Sequence, residues 1–133
     1  MEERPKAEET VEAAPGIGLG RIGKAVGYSL QGLRAAGRTE AAFRQEALAA
    51  MVLIPVAILV PVPLLQRATL VASVLFVMLV ELLNSSVESA IDRIGPERHP
   101  LSKRAKDTGS AAVLLAITIA VLLWVAILLP LAG

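Results

Sequence analysis

The stretch Ala68–Gly95, "ATLVASVLFVMLVELLNSSVESAIDRIG", decides how this chain folds. Its first part, Ala68 to Val80, is an uncharged apolar run, too short alone to cross a bilayer, which needs roughly 20 residues. A crossing therefore has to use Glu81, Leu82, Leu83 and Asn84 as membrane residues. At 100° per residue, Glu81, Asn84, Ser85, Glu88 and Asp92 fall within about a third of the helix circumference. With a rise of roughly 1.5 Å, Glu81 stands about 20 Å along a helix starting at Ala68, and Glu88 about 30 Å along it. Glu81 is then inside the hydrocarbon near its boundary, and Glu88 is at the interface. An acid at that depth costs several kcal/mol unless it is paired, protonated or hydrated, and it marks function by default.

The rest of the chain agrees with a membrane reading. Of 133 residues, 55% are hydrophobic but only 3% aromatic, and the mean hydropathy is +0.65. A soluble core of this size uses more Phe, Tyr and Trp, so aliphatic runs without aromatics point to helices dissolved in lipid. There is no cysteine, which excludes disulfides and thiolate metal sites. No cleavable signal is evident, because the first apolar run begins near Ala47, behind a long charged segment.

Residues 1–15, "MEERPKAEETVEAAP", are charged and acid-rich and read as a disordered extension. The integral membrane domain is expected over 16–133. Over about 16–45, Ile22, Val26, Leu30 and Leu33 recur at helical spacing while Lys24, Tyr28, Gln31, Arg34 and Arg38 lie mostly elsewhere, the pattern of a helix lying on a membrane surface. Three membrane helices are expected at about 46–65, 68–94 and 104–130. Pro55, Pro61 and Pro63 interrupt the first and predict a kink or an early end. Seven Lys or Arg precede the first span, Arg67 alone separates the first two, five lie between Arg93 and Lys106, and none follows the third. The positive-inside rule then puts the N-terminus and the 93–106 loop on the cytoplasmic face. The fold class is an all-α membrane protein with one surface helix and three transmembrane helices.

Several carboxylates on one face repel unless a cation compensates them. Lys103, Arg104 and Lys106 are one source of that cation, and a hard metal ion such as Mg²⁺, which prefers oxygen ligands, is another. A bland reading makes Glu81 and Asn84 an interhelical polar clasp. The active one makes a carboxylate in a poorly hydrated place a general base. The depth suits a lipid alcohol, whose hydroxyl sits at this boundary, meeting a nucleotide triphosphate arriving from the cytoplasm. In "LSKRAKDTGS", Leu101–Ser110, Lys103 and Lys106 suit phosphate oxygens, and Asp107 and Ser110 face one side. "GLGRIG", Gly18–Gly23, matches a dinucleotide fingerprint without its strand context. "GLGRIGKA" nearly matches a P-loop but ends in Ala25 instead of Ser or Thr. Neither carries a reading, and the sequon at Asn84 lies within a membrane helix.

Three motifs, "GYSLQGLRAAGRTEAAFRQE", "ELLNSSVESAIDRIG" and "RAKDTGSAAV", together closely resemble the prokaryotic diacylglycerol kinase family, from about Gly20 to the C-terminus. The resemblance implies a homotrimer of small membrane enzymes with active sites between protomers, moving the γ-phosphoryl group of MgATP to diacylglycerol. Glu81 would be the general base, oriented with help from Asn84. Glu40 and Glu88 would bind Mg²⁺ at the phosphates. Arg21, Tyr28, Glu97, His99, Lys106 and Asp107, with Glu40 and Glu88, would line the nucleotide site. Arg34, Glu46 and Ser110 would lie with Glu81 near the lipid. The partners implied are a membrane lipid, ATP and two further copies of the chain, with no nucleic acid, in a bacterial inner membrane. Related kinases with a nearly identical acidic motif act on undecaprenol, so the lipid stays open at this point. From a different class, a small proton-coupled transporter would use Glu81 as its titrating residue, and a non-catalytic scaffold would leave the stripe unexplained.

Overall fold

Residues 18–131 are described by a computed structural model, and the acid-rich 1–15 segment lies outside them. The element order is α1 (Leu19–Thr39), α2 (Ala41–Leu59), α3 (Leu64–Ile94), α4 (Pro100–Leu128) and a closing 3₁₀ turn, Leu129–Leu131. Helices α2, α3 and the α4 unit are long and apolar enough to cross a membrane. The protein is an all-α membrane protein with one further N-terminal helix.

The helix bounds differ from those expected, each for a local reason. The single helix expected over about 16–45 is two, divided at Glu40, whose backbone is extended (φ −101°, ψ 115°). Thr39 Oγ1 bonds back to the Ala35 carbonyl at 3.0 Å, and the Arg44 guanidinium donates to the Arg38 carbonyl at 3.2 Å, so the end of α1 is satisfied by side chains. Helix α2 passes through Pro55 but stops at Leu59, short of the expected 65. Pro61 pushes Val60 out of the helical region (φ −64°, ψ 140°), and Pro63 cannot donate a backbone hydrogen bond. Pro63 then caps α3, which starts at Leu64 rather than at 68. At the far end of α3, Gly95 adopts φ 156°, a conformation that a side chain disfavours, and turns the chain toward α4. Helix α4 begins at Pro100 rather than at 104, with proline in the first turn and His99 Nδ1 accepting from the Leu101 amide at 3.1 Å.

Helix α3 is central, packed by α4 on one side and α2 on the other, while α1 meets the start of α2. Its buried positions are Leu70, Ser73, Val74, Val77, Glu81 and Ser85, one stripe at helical spacing. Small residues meet it, Ala50 and Ala57 from α2 and Ala116 from α4. In lipid, where burying apolar surface between helices brings little gain, such small residues allow close backbone approach. Trp124 of α4 donates its indole N–H to Ser73 Oγ at 3.1 Å, and Ser73 donates onward to the Leu70 carbonyl at 2.7 Å.

Candidate active site at the membrane boundary

The acidic stripe continues the packed stripe of α3. Glu81 is only 4% exposed and Ser85 is buried, while Asn84 and Glu88 are half-buried. Because α3 starts four residues earlier than expected, Glu81 lies about 26 Å along it and Glu88 about 36 Å. With a hydrocarbon thickness of about 30 Å, Glu81 approaches the boundary from inside and Glu88 stands outside it. Helix α2 runs antiparallel beside α3, and Glu46 lies about 20 Å from its Leu59 end, a similar depth to Glu81. Glu40, at the break between α1 and α2, and Glu88 both lie within electrostatic reach of Glu81, as Glu81 does of Glu46. Four carboxylates thus gather around one boundary region.

The lysines do not neutralise them. Among the described residues the ion pairs are Lys103 Nζ–Asp107 Oδ2 at 2.5 Å and Lys106 Nζ–Asp92 Oδ1 at 2.7 Å. Glu40, Glu46, Glu81 and Glu88 have no ion-pair partner there. Asn84 Nδ2 donates to Glu88 Oε1 at 3.4 Å, linking the two middle members of the stripe. Glu46 Oε2, Asn84 Oδ1 and Ser85 Oγ are buried without a hydrogen-bond partner among the described residues. No group of three or more acidic or histidine side chains forms a closed metal cage among the described residues. One or two carboxylates with open positions for phosphate oxygens is nevertheless the donor set that Mg²⁺ uses beside a nucleotide. The residues present fit that ion.

Two concavities flank the stripe. On the loop side, a cavity of about 690 Å³ is lined by Asp92, Glu97, His99, Lys103, Lys106 and Asp107, among others. It unites four residues expected at the nucleotide, Glu97 and His99 from the turn after α3 and Lys106 and Asp107 from the first turns of α4. His99 caps α4 through Nδ1 and so has a structural role besides lining the cavity. Within the membrane-spanning part, a groove of about 490 Å³ runs between α2, α3 and α4, lined by Glu46, Leu53, Val77, Ile117 and Trp124 with Gln45. Glu46 and Gln45 supply its polar end and aliphatic side chains the rest. Arg21, Tyr28 and Arg34 are exposed on α1, and Ser110 is exposed on α4, so this single chain does not draw them into either concavity.

Sequence reasoning missed three contributors. Periodicity places Asp92 on the acidic face but not its partner, and it fastens α3 to α4 through Lys106. Ser73 carried no signal beyond being a hydroxyl in an apolar run. Gly109 had one: a glycine inside a helix is disfavoured and calls for a packing reason.

Residues 27–128 match the family described as prokaryotic diacylglycerol kinase. The diacylglycerol kinase of Pseudomonas aeruginosa is 54% identical over 112 residues, covering 84% of this chain and 91% of that protein. That of Escherichia coli is 53% identical over 107 residues, 80% of this chain and 88% of its own. That of Haemophilus influenzae is 47% identical over 111 residues, covering 84% and 94%. With the match spanning α1 through α4 and these identities over most of both chains, this chain belongs to the prokaryotic diacylglycerol kinase family.

Proposed function

We propose that this protein transfers the γ-phosphoryl group of ATP to the primary hydroxyl of diacylglycerol, giving phosphatidic acid. The observation that carries the reading is the depth of Glu81. It is a buried carboxylate at the lipid boundary, without an ion-pair partner among the described residues, on the same face of α3 as Asp92 in the wall of the lysine-bearing loop-side cavity. The names of the curated relatives, all diacylglycerol kinases, favour diacylglycerol over undecaprenol. A transporter would need Glu81 but not the cavity built from Glu97, His99, Lys106 and Asp107.

In this mechanism the apolar groove takes the acyl chains, with Glu46 at its polar end and Arg34 and Ser110 near the headgroup. Glu81 accepts the hydroxyl proton as the lipid oxygen bonds to the γ-phosphorus. The bond from that phosphorus to the β–γ bridging oxygen breaks, and ADP leaves with its electrons. Asn84 holds the acidic face in register through Glu88. Lys106 and Asp107, with Glu97, His99, Arg21 and Tyr28, hold the nucleotide. Glu40 and Glu88 would hold Mg²⁺, which neutralises developing phosphate charge. Catalysis by position and charge of this kind needs no Walker loop. The excess of Lys and Arg before α2 and between α3 and α4 supports a site facing the cytoplasm of a bacterial inner membrane. In the homotrimer that the family resemblance implies, Arg21, Tyr28 and Arg34, exposed on α1, would complete the site of a neighbouring copy.

Purified protein in mixed micelles with MgATP and dioleoylglycerol should form phosphatidic acid. Running ceramide and undecaprenol alongside identifies the preferred alcohol. If no lipid alcohol is phosphorylated, the proposal is wrong.

A further inference from the structure

Glycine is disfavoured in the middle of a helix, because it gives up more backbone freedom than alanine and contributes no side-chain contact. The glycines of α1, Gly20, Gly23, Gly27, Gly32 and Gly37, have open space where a Cβ would stand. Gly109 of α4 does not. A Cβ there would run into the carboxamide of Asn84, against Oδ1, with Cγ at 3.2 Å and Cβ at 3.9 Å. These Asn84 atoms are its three nearest neighbours, so Asn84 alone is what a side chain at 109 would displace. The α-hydrogen that replaces the Cβ points at Oδ1, which is buried and has no hydrogen-bond partner among the described residues. On its other side, the same carboxamide donates to Glu88 Oε1 at 3.4 Å.

We propose that Gly109 is a positioning residue for phosphoryl transfer: its bare Cα clamps the Asn84 carboxamide in the orientation that aims Nδ2 at Glu88. The proposal rests on the kinase reading, in which Asn84 and Glu88 belong to the site. With a methyl group at 109, either of two adjustments follows. The carboxamide rotates and its N–H₂ leaves Glu88, or α4 backs away from α3. The second also moves Lys106 and Asp107, which precede Gly109 by three and two residues on the same helix. Both disturb the alignment of reacting groups more than the affinity for the lipid, whose chains lie deeper along the groove.

The test is a double-mutant cycle on the full-length protein in mixed micelles. Gly109→Ala, Asn84→Ala and the pair are assayed with MgATP and dioleoylglycerol, and each is unfolded with SDS. Gly109→Ala should lower kcat by about tenfold or more, since sub-ångström to ångström misplacement of reacting groups is costly, with KM for the lipid changed less than about twofold. In the wild-type background the substitution should lower the unfolding midpoint. In the Asn84→Ala background it should raise it, because only an ordinary 3.9 Å contact with Cβ remains and alanine is the better helix former. That reversal of sign is independent of the residual activity of Asn84→Ala. A fully active Gly109→Ala overturns the proposal, as does an unfolding shift of the same sign and size in both backgrounds. A wild type without lipid kinase activity instead removes the reading beneath it, while the unfolding arm still reports the coupling of the two residues.

Discussion

Lys106 Nζ of α4 lies 2.7 Å from Asp92 Oδ1 of α3, joining the two helices in the wall of the loop-side cavity. Their side chains are 41% and 68% exposed, so water screens the pair and it adds little to stability. The lysine, not the pair, is expected to matter for the nucleotide. Lys106→Ala should raise KM for MgATP by about tenfold, the loss of one charge-assisted bond to phosphate. Asp92→Asn, which keeps the lysine, should leave it within about threefold. Steady-state titration of MgATP at saturating lipid separates the two.

Among the described residues Glu81 is the buried acid and has no ion-pair partner, and its replacement tests the chemistry directly. Glu81→Gln keeps size and polarity but removes the proton acceptor. Turnover should fall by about 10²-fold or more, the usual contribution of a general base. Nucleotide binding, followed by displacement of a fluorescent ATP analogue, should be retained. Full activity in this variant would remove Glu81 from the role of base.

Glu88 and Glu40 have no cation near enough to form an ion pair among the described residues. Chelation with EDTA should abolish phosphatidic acid formation, and added Mg²⁺ should restore it. Glu88→Gln should raise the Mg²⁺ concentration needed for half-maximal rate by about tenfold, as expected when a charge-assisted ligand is lost. An unchanged Mg²⁺ dependence in both Glu88→Gln and Glu40→Gln would take the metal away from these residues.

Arg67 Nη2 donates to the Val60 carbonyl at 3.3 Å and to the Val62 carbonyl at 3.5 Å. Pro61 and Pro63 contribute no amide hydrogens to the turn between α2 and α3, and the guanidinium supplies donors to its carbonyls instead. Arg67→Ala should destabilise the protein by about 1.5–3 kcal/mol, the range for bonds to a charged group. SDS unfolding measures the loss, and the rate per folded molecule should change little.

Trp124 and Ser73 join α4 to α3 beside the apolar groove, about two helical turns from Glu81. Ser73→Ala leaves the indole N–H without its acceptor and should cost about 0.5–1.5 kcal/mol, since such bonds between membrane helices are modest. Trp124→Phe should cost about the same through the loss of the donor. A double mutant no worse than either single change would assign both losses to this one bond.

Much of the architecture is determined locally and can be read along the chain. Charge-free aliphatic runs specify the first and third spans, and the second once Glu81 and Asn84 are counted with its apolar run, because a backbone crossing lipid has to satisfy its own hydrogen bonds as a helix. The 3.6-residue period alone places Glu81, Asn84, Ser85, Glu88 and Asp92 on one face. Proline at 61 and 63 announces the end of α2, although the composition of 60–65 still reads as membrane.

What depends on contact between distant residues is decided only by the packed helices. The sequence offers Lys103, Arg104 and Lys106 equally as partners for the acids. The crossing of α3 and α4 gives Lys106 to Asp92, a local turn gives Lys103 to Asp107, and Glu81 and Glu88 are left without an ion-pair partner among the described residues. The register of those helices also sets Gly109 against Asn84 and Trp124 against Ser73, since a shift by one residue rotates a helix face by about 100°. The sequence by itself determined that acids would stand at the membrane boundary, because periodicity and hydropathy are properties of one helix. Which of them remain free to act was decided by the tertiary structure, because neutralising a charge takes a partner within a few ångströms, and only the fold fixes that distance.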